Sequence, residues 1–490
     1  MMDFLGSQEL WVLVSLVLSL TLVLAFEFIN GFHDTANAVA TVIYTRALPP
    51  YKAVILSGCF NFLGVVLGGV GVAYAIVHLL PVELLINANT GRGISMVFAL
   101  LAAAILWNLG TWYFGIPASS SHTLIGAMLG VGLANALINE IPLQQGVNWQ
   151  KAIDIALSLI VSPIGGFVLA GLLFLLLKIW LPDSQMHKSP ESRKKEDDKK
   201  HPPFWSRLTL VCSSVTVSFV HGSNDGQKGI GLVMLVLIGI VPGQFVLDLD
   251  STPYQVERTR EAINYLGQFY QQHEETLGDM LALKRPVELD KAPDIYRCDP
   301  RQTKLTLRAM NTTLRGITDF RELSEPQRVQ ARRYLLCLDD TAKKVIATGL
   351  LPKREAADLA QLRRNLTAAT EYAPYWVIFA IACALGVGTM VGWRRVVETV
   401  GERIGKQGMT YAQGLSAEVT ASMAIGVANV FSLPVSTTHV LSSGVAGTMV
   451  ANKTGLQSNT VRNILLAWVL TLPVSMLLSA FFFWIASFLI

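Results

Sequence analysis

Two aspartates, Asp34 and Asp225, each sit in the middle of a long apolar run. A charge at the centre of a bilayer costs at least about 2.5–3.5 kcal/mol, so such an acid is rarely kept for packing. Cation coordination or proton carriage is the chemistry they suit; an internal ion pair or a protonated structural acid is the bland alternative. Asn37 and Lys228 follow them at matching distances. Asn37 offers an amide to either sign of ion, and Lys228 either faces an anion or pairs with Asp225. Two further motifs, PASSSHT at 117–123 and PVSTTHV at 434–440, place Ser119, Ser120 and Ser121, and Ser436, Thr437 and Thr438, just after a helix-breaking proline. Hydroxyls and free N–H groups at a helix N-terminus make an anion site, and the helix dipole adds positive potential. The same residues also serve as ordinary N-caps. His33, His122 and His439 beside these motifs suit either a proton relay or single structural hydrogen bonds. Glu27 and Glu418 are further acids expected to face the same cavity.

The elements that must hold these residues are membrane helices. The chain is 52% hydrophobic and only 15% charged, against about 25% charged in soluble proteins. Trp11 to Ile29 holds one charge, Ile153 to Leu177 holds one, and Ile464 to Ile490 holds none. Such runs match the roughly 20 residues needed to cross a bilayer. The first run lacks a basic leader and a small-residue cleavage site, so it reads as a membrane segment and not a signal peptide. Apolar blocks near 9–45, 94–138, 151–181, 207–247, 413–450 and 461–490 are long or carry Gly, Pro, Asn or Asp inside, which predicts broken or re-entrant helices. The net charge of +4 gives no case for nucleic acid, and no Cys/His spacing suggests zinc, so no metal ligands are assigned.

The chain repeats itself. FINGFHDTANAVA at 28–40 aligns with FVHGSNDGQKGIG at 219–231, and FGIPASSSHTLIGAMLG at 114–130 with FSLPVSTTHVLSSGVAG at 431–447. The two offsets differ by the length of one polar stretch, so the second half is the first with a domain spliced in. Paired, interrupted segments of this kind point to a transporter site. The expected fold is an all-α polytopic membrane protein: two inverted repeats of about five segments each, plus a soluble, mainly helical insert. The divisions are 1–181, a basic cytoplasmic linker at 182–206, 207–247, the insert at 248–372, and 373–490. Six Lys and Arg in the linker and four at 394–406 place both loops in the cytoplasm. An odd number of crossings per half then puts the insert outside. There, Cys298 and Cys337 are expected to form a disulfide, since oxidising compartments preserve them; two free thiols in a cytoplasmic domain are the alternative.

The residues by themselves reach an anion transporter with two acidic coupling sites. With the motifs in view, the sequence resembles the inorganic phosphate transporter (Pit/PiT) family. NGFHDTANAVAT and HGSNDGQKGIG resemble its duplicated GANDxANA-like signature, and PASSSHT and PVSTTHV its two Ser/Thr-His hairpins. The GSNDGQKG form, basic linker and large insert look most like the low-affinity transporters of Gram-negative bacteria. The resemblance implies a symporter in the bacterial inner membrane that imports phosphate, as a metal–phosphate complex, coupled to protons. Sodium coupling, or sulfate or another oxyanion as cargo, are the alternatives. It implies a substrate site of Asn37, Ser119, Ser120, Ser121, Thr123, Asn224, Lys228, Ser436, Thr437 and Thr438, with Asp34 and Asp225 holding the coupling ion. His33, His122 and His439 are the candidates for proton relay. No resident cofactor is expected; the partners are phosphate, the co-transported ion and metal, and the lipid bilayer, with room for a homodimer. Two departures stand out: His33 replaces the usual Asn of the first motif, and Gly226-Gln227-Lys228 replaces a hydrophobic-Ala-Asn run in the second. Lys228 in the place of a cation favours protons over sodium. A membrane hydrolase is disfavoured because the hydroxyls come in tandem and the whole set appears twice, whereas an enzyme needs one nucleophile and one base. A channel or receptor needs no buried acids.

Overall fold

The computed structural model describes residues 7–34, 36–80, 91–140, 142–199, 201–283 and 298–488. Contacts divide the chain into two compact units, one of 1–81, 95–233 and 373–490, the other of 82–94 and 234–372.

The first unit is built from helices α1 (Ser7–Asp34), α2 (Ala36–Tyr44), α3 (Pro50–Leu67), α4 (Gly71–Val77), α5 (Gly91–Tyr113), α6 (Ser120–Ile138), α7 (Trp149–Trp180), α8 (Pro190–Asp197) and α9 (Phe204–Ile240). After the second unit it resumes with α15 (Tyr375–Thr389), α16 (Arg394–Glu402), α17 (Tyr411–Val430), α18 (Thr437–Ala451) and α19 (Ser458–Ser487). Their starts follow local chemistry. Pro50 sits at the first turn of α3, where its missing N–H is no loss. Thr410 and Gln413 form a reciprocal capping box on α17.

Six stretches are long and apolar enough to cross a membrane: Leu10–Tyr44, Pro50–Leu67, Gly93–Tyr113, Ser120–Ile138, Trp149–Trp180 and Ser458–Ser487. The pair α15 and α16, bent by 66°, adds a seventh. Helix α9 exceeds the needed length but mixes His221, Asn224, Asp225 and Lys228 among its apolar residues and falls outside that set. At 15 residues, α18 reaches about 22 Å, short of a hydrocarbon core of about 30 Å.

The expected breaks are only partly present. The 94–138 and 413–450 blocks are divided just before their hydroxyl motifs, while in the first block Thr35 lies outside the described residues. By contrast, α9 runs unbroken for 37 residues through Asp225, and α7 and α19 continue through Pro163 and Pro473. Within α9 the polar side chains find partners on other helices, so the backbone has no reason to open.

Glycines let the helices approach closely, the usual device where lipid gives no hydrophobic drive. A Cβ on Gly130 of α6 would lie 2.1 Å from the Met476 carbonyl of α19, and one on Gly447 of α18 would lie 2.0 Å from the Phe167 carbonyl of α7. The packing is reciprocal: the hairpin helix of each repeat lies on the last helix of the other. Helix α15 wedges between α1 and α3, with Gly388 against the Phe28 carbonyl.

The second unit has its own core. Helices α10 (Pro253–Gln272), α11 (Glu274–Leu281), α12 (Thr303–Thr313), α13 (Glu325–Ala347) and α14 (Lys353–Thr367) bury Ile263, Leu266, Leu281, Phe320, Leu335 and Leu359. The buried Arg332 donates to the carbonyls of Val246 and Thr370 at 2.8 and 3.0 Å, and Arg363 grips Asp339 with two bonds. Cys298 and Cys337 are joined, their Cα atoms 4.9 Å apart.

Two outcomes follow from this packing. Gly130→Ala and Gly447→Ala should each destabilise the protein by roughly 1–3 kcal/mol through overpacking. Gly110→Ala, where nothing lies within 4 Å, should not; thermal unfolding in detergent compares the three. Mass spectrometry of alkylated, unreduced protein should yield a Cys298–Cys337 cross-linked peptide. Breaking that loop should cost the insert about 4 kcal/mol on the chain-entropy model, read as a lower melting temperature on reduction.

Candidate functional site

The two halves of the sequence meet at Asp34 and Asp225. Asp34 lies within the Leu10–Tyr44 stretch, and Asp225 lies midway along α9; both are buried. Helices α6 and α18 begin beside them because Ser119 and Ser436 are N-caps, their hydroxyls accepting the N–H of His122 and His439. That capping presents the next residues to the acids. Ser120 donates to Asp34 Oδ2 at 2.9 Å and lies 3.4 Å from Asp225 Oδ2, so one hydroxyl bridges both carboxylates. From the other hairpin, Thr438 donates to Asp34 Oδ1 at 2.6 Å.

Asp225 is held differently. Lys228 Nζ lies 2.7 Å from its Oδ1, one helical turn on, and also donates to Ser121 Oγ at 2.5 Å. Ser121 passes its own proton to the Val435 carbonyl at 2.7 Å, tying the two hairpins together. Lys228 therefore pairs with Asp225 and still touches the hydroxyl run. Breaking such a buried pair by removing one partner costs about 3–5 kcal/mol.

Two histidines complete the cage, each tied by one ring nitrogen to a polar side chain and facing an aspartate with the other. Thr389 donates to the Leu385 carbonyl, and Asn61 Nδ2 donates to Thr389, which leaves Asn61 Oδ1 to accept from His221 Nδ1 at 2.9 Å. His221 Nε2 then faces Asp225 Oδ2 at 3.6 Å. Asp34, His221 and Asp225 each bring one ligand atom within 4.8 Å of the others. A histidine oriented by a second hydrogen bond, beside two carboxylates, is the donor set of a cation site. The sequence reading assigns no metal ligands; these three side chains are placed where they could hold one. His33 is the counterpart. His33 Nε2 lies 3.1 Å from the Thr111 hydroxyl, whose one hydrogen can go to it or to the Trp107 or Asn108 carbonyl. Nδ1 then faces Asp34 Oδ1 at 3.3 Å, a contact that is favourable only with a proton on that nitrogen.

The remaining expected residues are placed elsewhere. Ser119 and Ser436 are used up as caps, and Thr123 turns back to the Ser119 carbonyl. Thr437 is buried at the α18 start. Asn224 donates to Asn429 Oδ1 at 2.6 Å and to the Leu433 carbonyl, bracing the approach to the second hairpin. The side chain of Asn37 lies outside the described residues. His122 and His439 make no hydrogen bond to either aspartate among the described residues; their rings pack on each other, centroids 4.5 Å apart. Glu27 is buried and accepts from Asn30 at 3.2 Å. Glu418 is buried with Thr41 and Ser213 both donating to it. His221, Asn61 and Thr111 were missed by sequence reasoning. The four-residue spacing of His221 and Asp225 on one helical face was the available signal.

Replacing one partner of the buried pair and then both separates stability from transport. Asp225→Asn should lower stability by about 3–5 kcal/mol by stranding Lys228, and adding Lys228→Met should recover most of it. Asp34→Asn weakens two charge-assisted bonds, each worth about 1.5–3 kcal/mol, and strands no opposite charge. Melting curves in detergent read the stabilities. All three variants should fail to accumulate phosphate in liposomes.

The description of the phosphate transporter family matches residues 30–479. The low-affinity inorganic phosphate transporter PitA of Escherichia coli (strain K12) is 51% identical over 480 residues, covering 96% of each chain. PitB of the same organism is 49% identical over 499 residues, covering both chains in full. The low-affinity inorganic phosphate transporter of Buchnera aphidicola subsp. Acyrthosiphon pisum (strain APS) is 48% identical, covering 96% of each. A solved structure described as the sodium-dependent phosphate transporter superposes with a TM-score of 0.53 at 21% identity, covering 97% of this chain and 100% of that one, a likeness of fold. The chain belongs to the phosphate transporter family, and it is a polytopic phosphate transporter and not an enzyme.

Proposed function

We propose that this chain is a symporter of the bacterial inner membrane that imports phosphate together with a divalent metal, driven by protons. Its two halves form inverted repeats, with the 182–206 linker in the cytoplasm and the insert in the periplasm. The observation that carries the reading is the pair of oriented histidines. His221 brings Nε2 toward Asp225 and Asp34, where the neutral ring would offer a lone pair to a metal ion, and His33 Nδ1 faces Asp34, where an N–H would be favourable. Phosphate would lie beside that metal, taking donors from Ser120, Ser121, Thr438 and Lys228.

Charge supports the same assignment. Asp34, Asp225 and Lys228 sum to one negative charge, and a proton on His33 cancels it. A metal hydrogenphosphate pair is neutral, so the loaded site carries no net charge. A neutral site is the least costly to expose in turn to either side of a membrane. The solved relative's name mentions sodium, and one sodium ion would balance the same charge, so the ion must be decided by measurement.

Labelled phosphate uptake into proteoliposomes should require a divalent metal, rise with an inward proton gradient and need no sodium. Strict sodium dependence at fixed pH overturns proton coupling. Asn61→Ala frees the His221 ring and should weaken metal dependence by about 10–100-fold. His33→Asn should keep phosphate exchange while losing proton-driven accumulation; accumulation at the wild-type rate would remove His33 from the coupling step.

A further inference from the structure

Among the described residues, the buried Glu27 of α1 takes no part in the bonding around Asp34 and Asp225. It shares a helical face with Asn30 and Asp34, at spacings of three and four residues. Its Oε1 accepts from Asn30 Nδ2 at 3.2 Å, and its Oε2 has no hydrogen-bond partner among the described residues. Buried polar groups are ordinarily paired. An oxygen closed in by packed atoms is out of reach of a ligand from outside, so only a side chain already beside it can serve it.

The position of that oxygen identifies the side chain. A Cβ on Gly229 would lie 2.7 Å from Glu27 Oε2. The carboxyl therefore fills the space that a side chain would take on α9, with Ile381 of α15 alongside. Gly229 lies one turn beyond Asp225 on the same helical face, and it directly follows Lys228. Consecutive Cα atoms are about 3.8 Å apart, which puts Glu27 Oε2 no more than about 8 Å from the Lys228 Cα. That is within the sweep of a flexible four-carbon stem with an ammonium at its tip. Lys228 thus has a carboxyl on either side along α9, Asp225 behind it and Glu27 ahead.

Its hold on Asp225 is close but not directed. Nζ lies 2.7 Å from Asp225 Oδ1 without the alignment of a hydrogen bond, and its aligned bond goes to Ser121. A divalent ion on Asp34, His221 and Asp225 brings two positive charges against that ammonium, and like charges in a buried site repel strongly. The ammonium carries three donors. Turning one of them from Asp225 to Glu27 relieves the repulsion and leaves the others for Ser121 and phosphate. Glu27 Oε2 accepts whether or not the other oxygen of the carboxyl carries a proton.

We propose that Glu27 is a positioning residue for the metal. It receives the Lys228 ammonium when a divalent ion takes Asp225, and so clears that carboxylate for the ion. The inference rests on the metal-binding reading of Asp34, His221 and Asp225.

The test titrates Mn²⁺ into the purified full chain in lipid nanodiscs and follows the paramagnetic resonance of the free ion. Melting temperature and elution volume are the folding controls, and His221→Ala assigns the binding to this site. Glu27→Met, which keeps the bulk and removes the acceptor, should weaken Mn²⁺ binding by about tenfold or more. Glu27→Leu takes its place if that variant does not fold. In Lys228→Met protein the same substitution should change the affinity by less than about twofold, because no ammonium remains to be moved. If wild-type binding is abolished by His221→Ala but unchanged by loss of Glu27, the proposal is overturned and the metal reading stands. An equal loss in the Lys228→Met background would also overturn it, since Glu27 would then act without Lys228. Wild-type binding that is absent, or indifferent to His221→Ala, removes the metal reading and the proposal with it.

Discussion

Two carboxylates held a hydroxyl's width apart, away from water, repel each other strongly unless positive charge or donors stand between them. Much of the surrounding structure answers that demand at Asp34 and Asp225. Ser120 bridges them, Thr438 and His33 contact the first, and Lys228 and His221 approach the second. These partners come from α1, α6, α9 and α18, which lie far apart in the chain. The close glycine contacts and the capped hairpins are what bring them within reach. Cargo that carries charge through this point must fit the existing balance, because the interior offers no solvent to absorb a mismatch.

The repeats share a frame but have exchanged chemistry within it. Three pairs of equivalent positions each set an asparagine against a titratable residue: Asn30 against His221, His33 against Asn224, and Asn37 against Lys228. The first repeat thus carries its histidine next to its aspartate, and the second carries a histidine one turn before and a lysine one turn after. A symmetric scaffold with unlike charges gives its two acids different surroundings. Asp34 is surrounded by hydroxyls and a histidine, Asp225 by a lysine and a histidine.

Much of this was legible in the sequence. A buried acid in an apolar run announces itself by its cost, and the matched offsets of 34 with 225 and of 117–123 with 434–440 placed the four pieces in one symmetric site. What was not legible depended on angular position around a helix. Ser119, Ser120 and Ser121 are alike in composition, yet only the backbone at the first turn decides that Ser119 caps, Ser120 reaches Asp34 and Ser121 meets Lys228. His122, one residue on, points into another cavity altogether. Likewise Gly, Ser, Asn and Asp in α9 read as a break, although Asn224 and His221 find partners on the neighbouring chain segments and the helix stays whole. Local propensity carried no information about those distant partners.

The crossing-over of the last helices bears on how the molecule is made. Helix α6 seats its glycines on α19, which follows it late in the chain. The first repeat therefore enters the bilayer with Gly126 and Gly130 facing lipid, and its hairpin has no seat until more than three hundred further residues have been synthesised. For most of that interval Ser120 and Asp34 exist without Thr438, the donor that the second hairpin supplies to Asp34. The soluble insert, closed by its own core and cross-link, is complete before α15 appears and offers a folded body at a time when the membrane part is half built. Because each hairpin helix rests on the last helix of the other repeat, a chain cut before α19 leaves both repeats unfinished and not one of them whole.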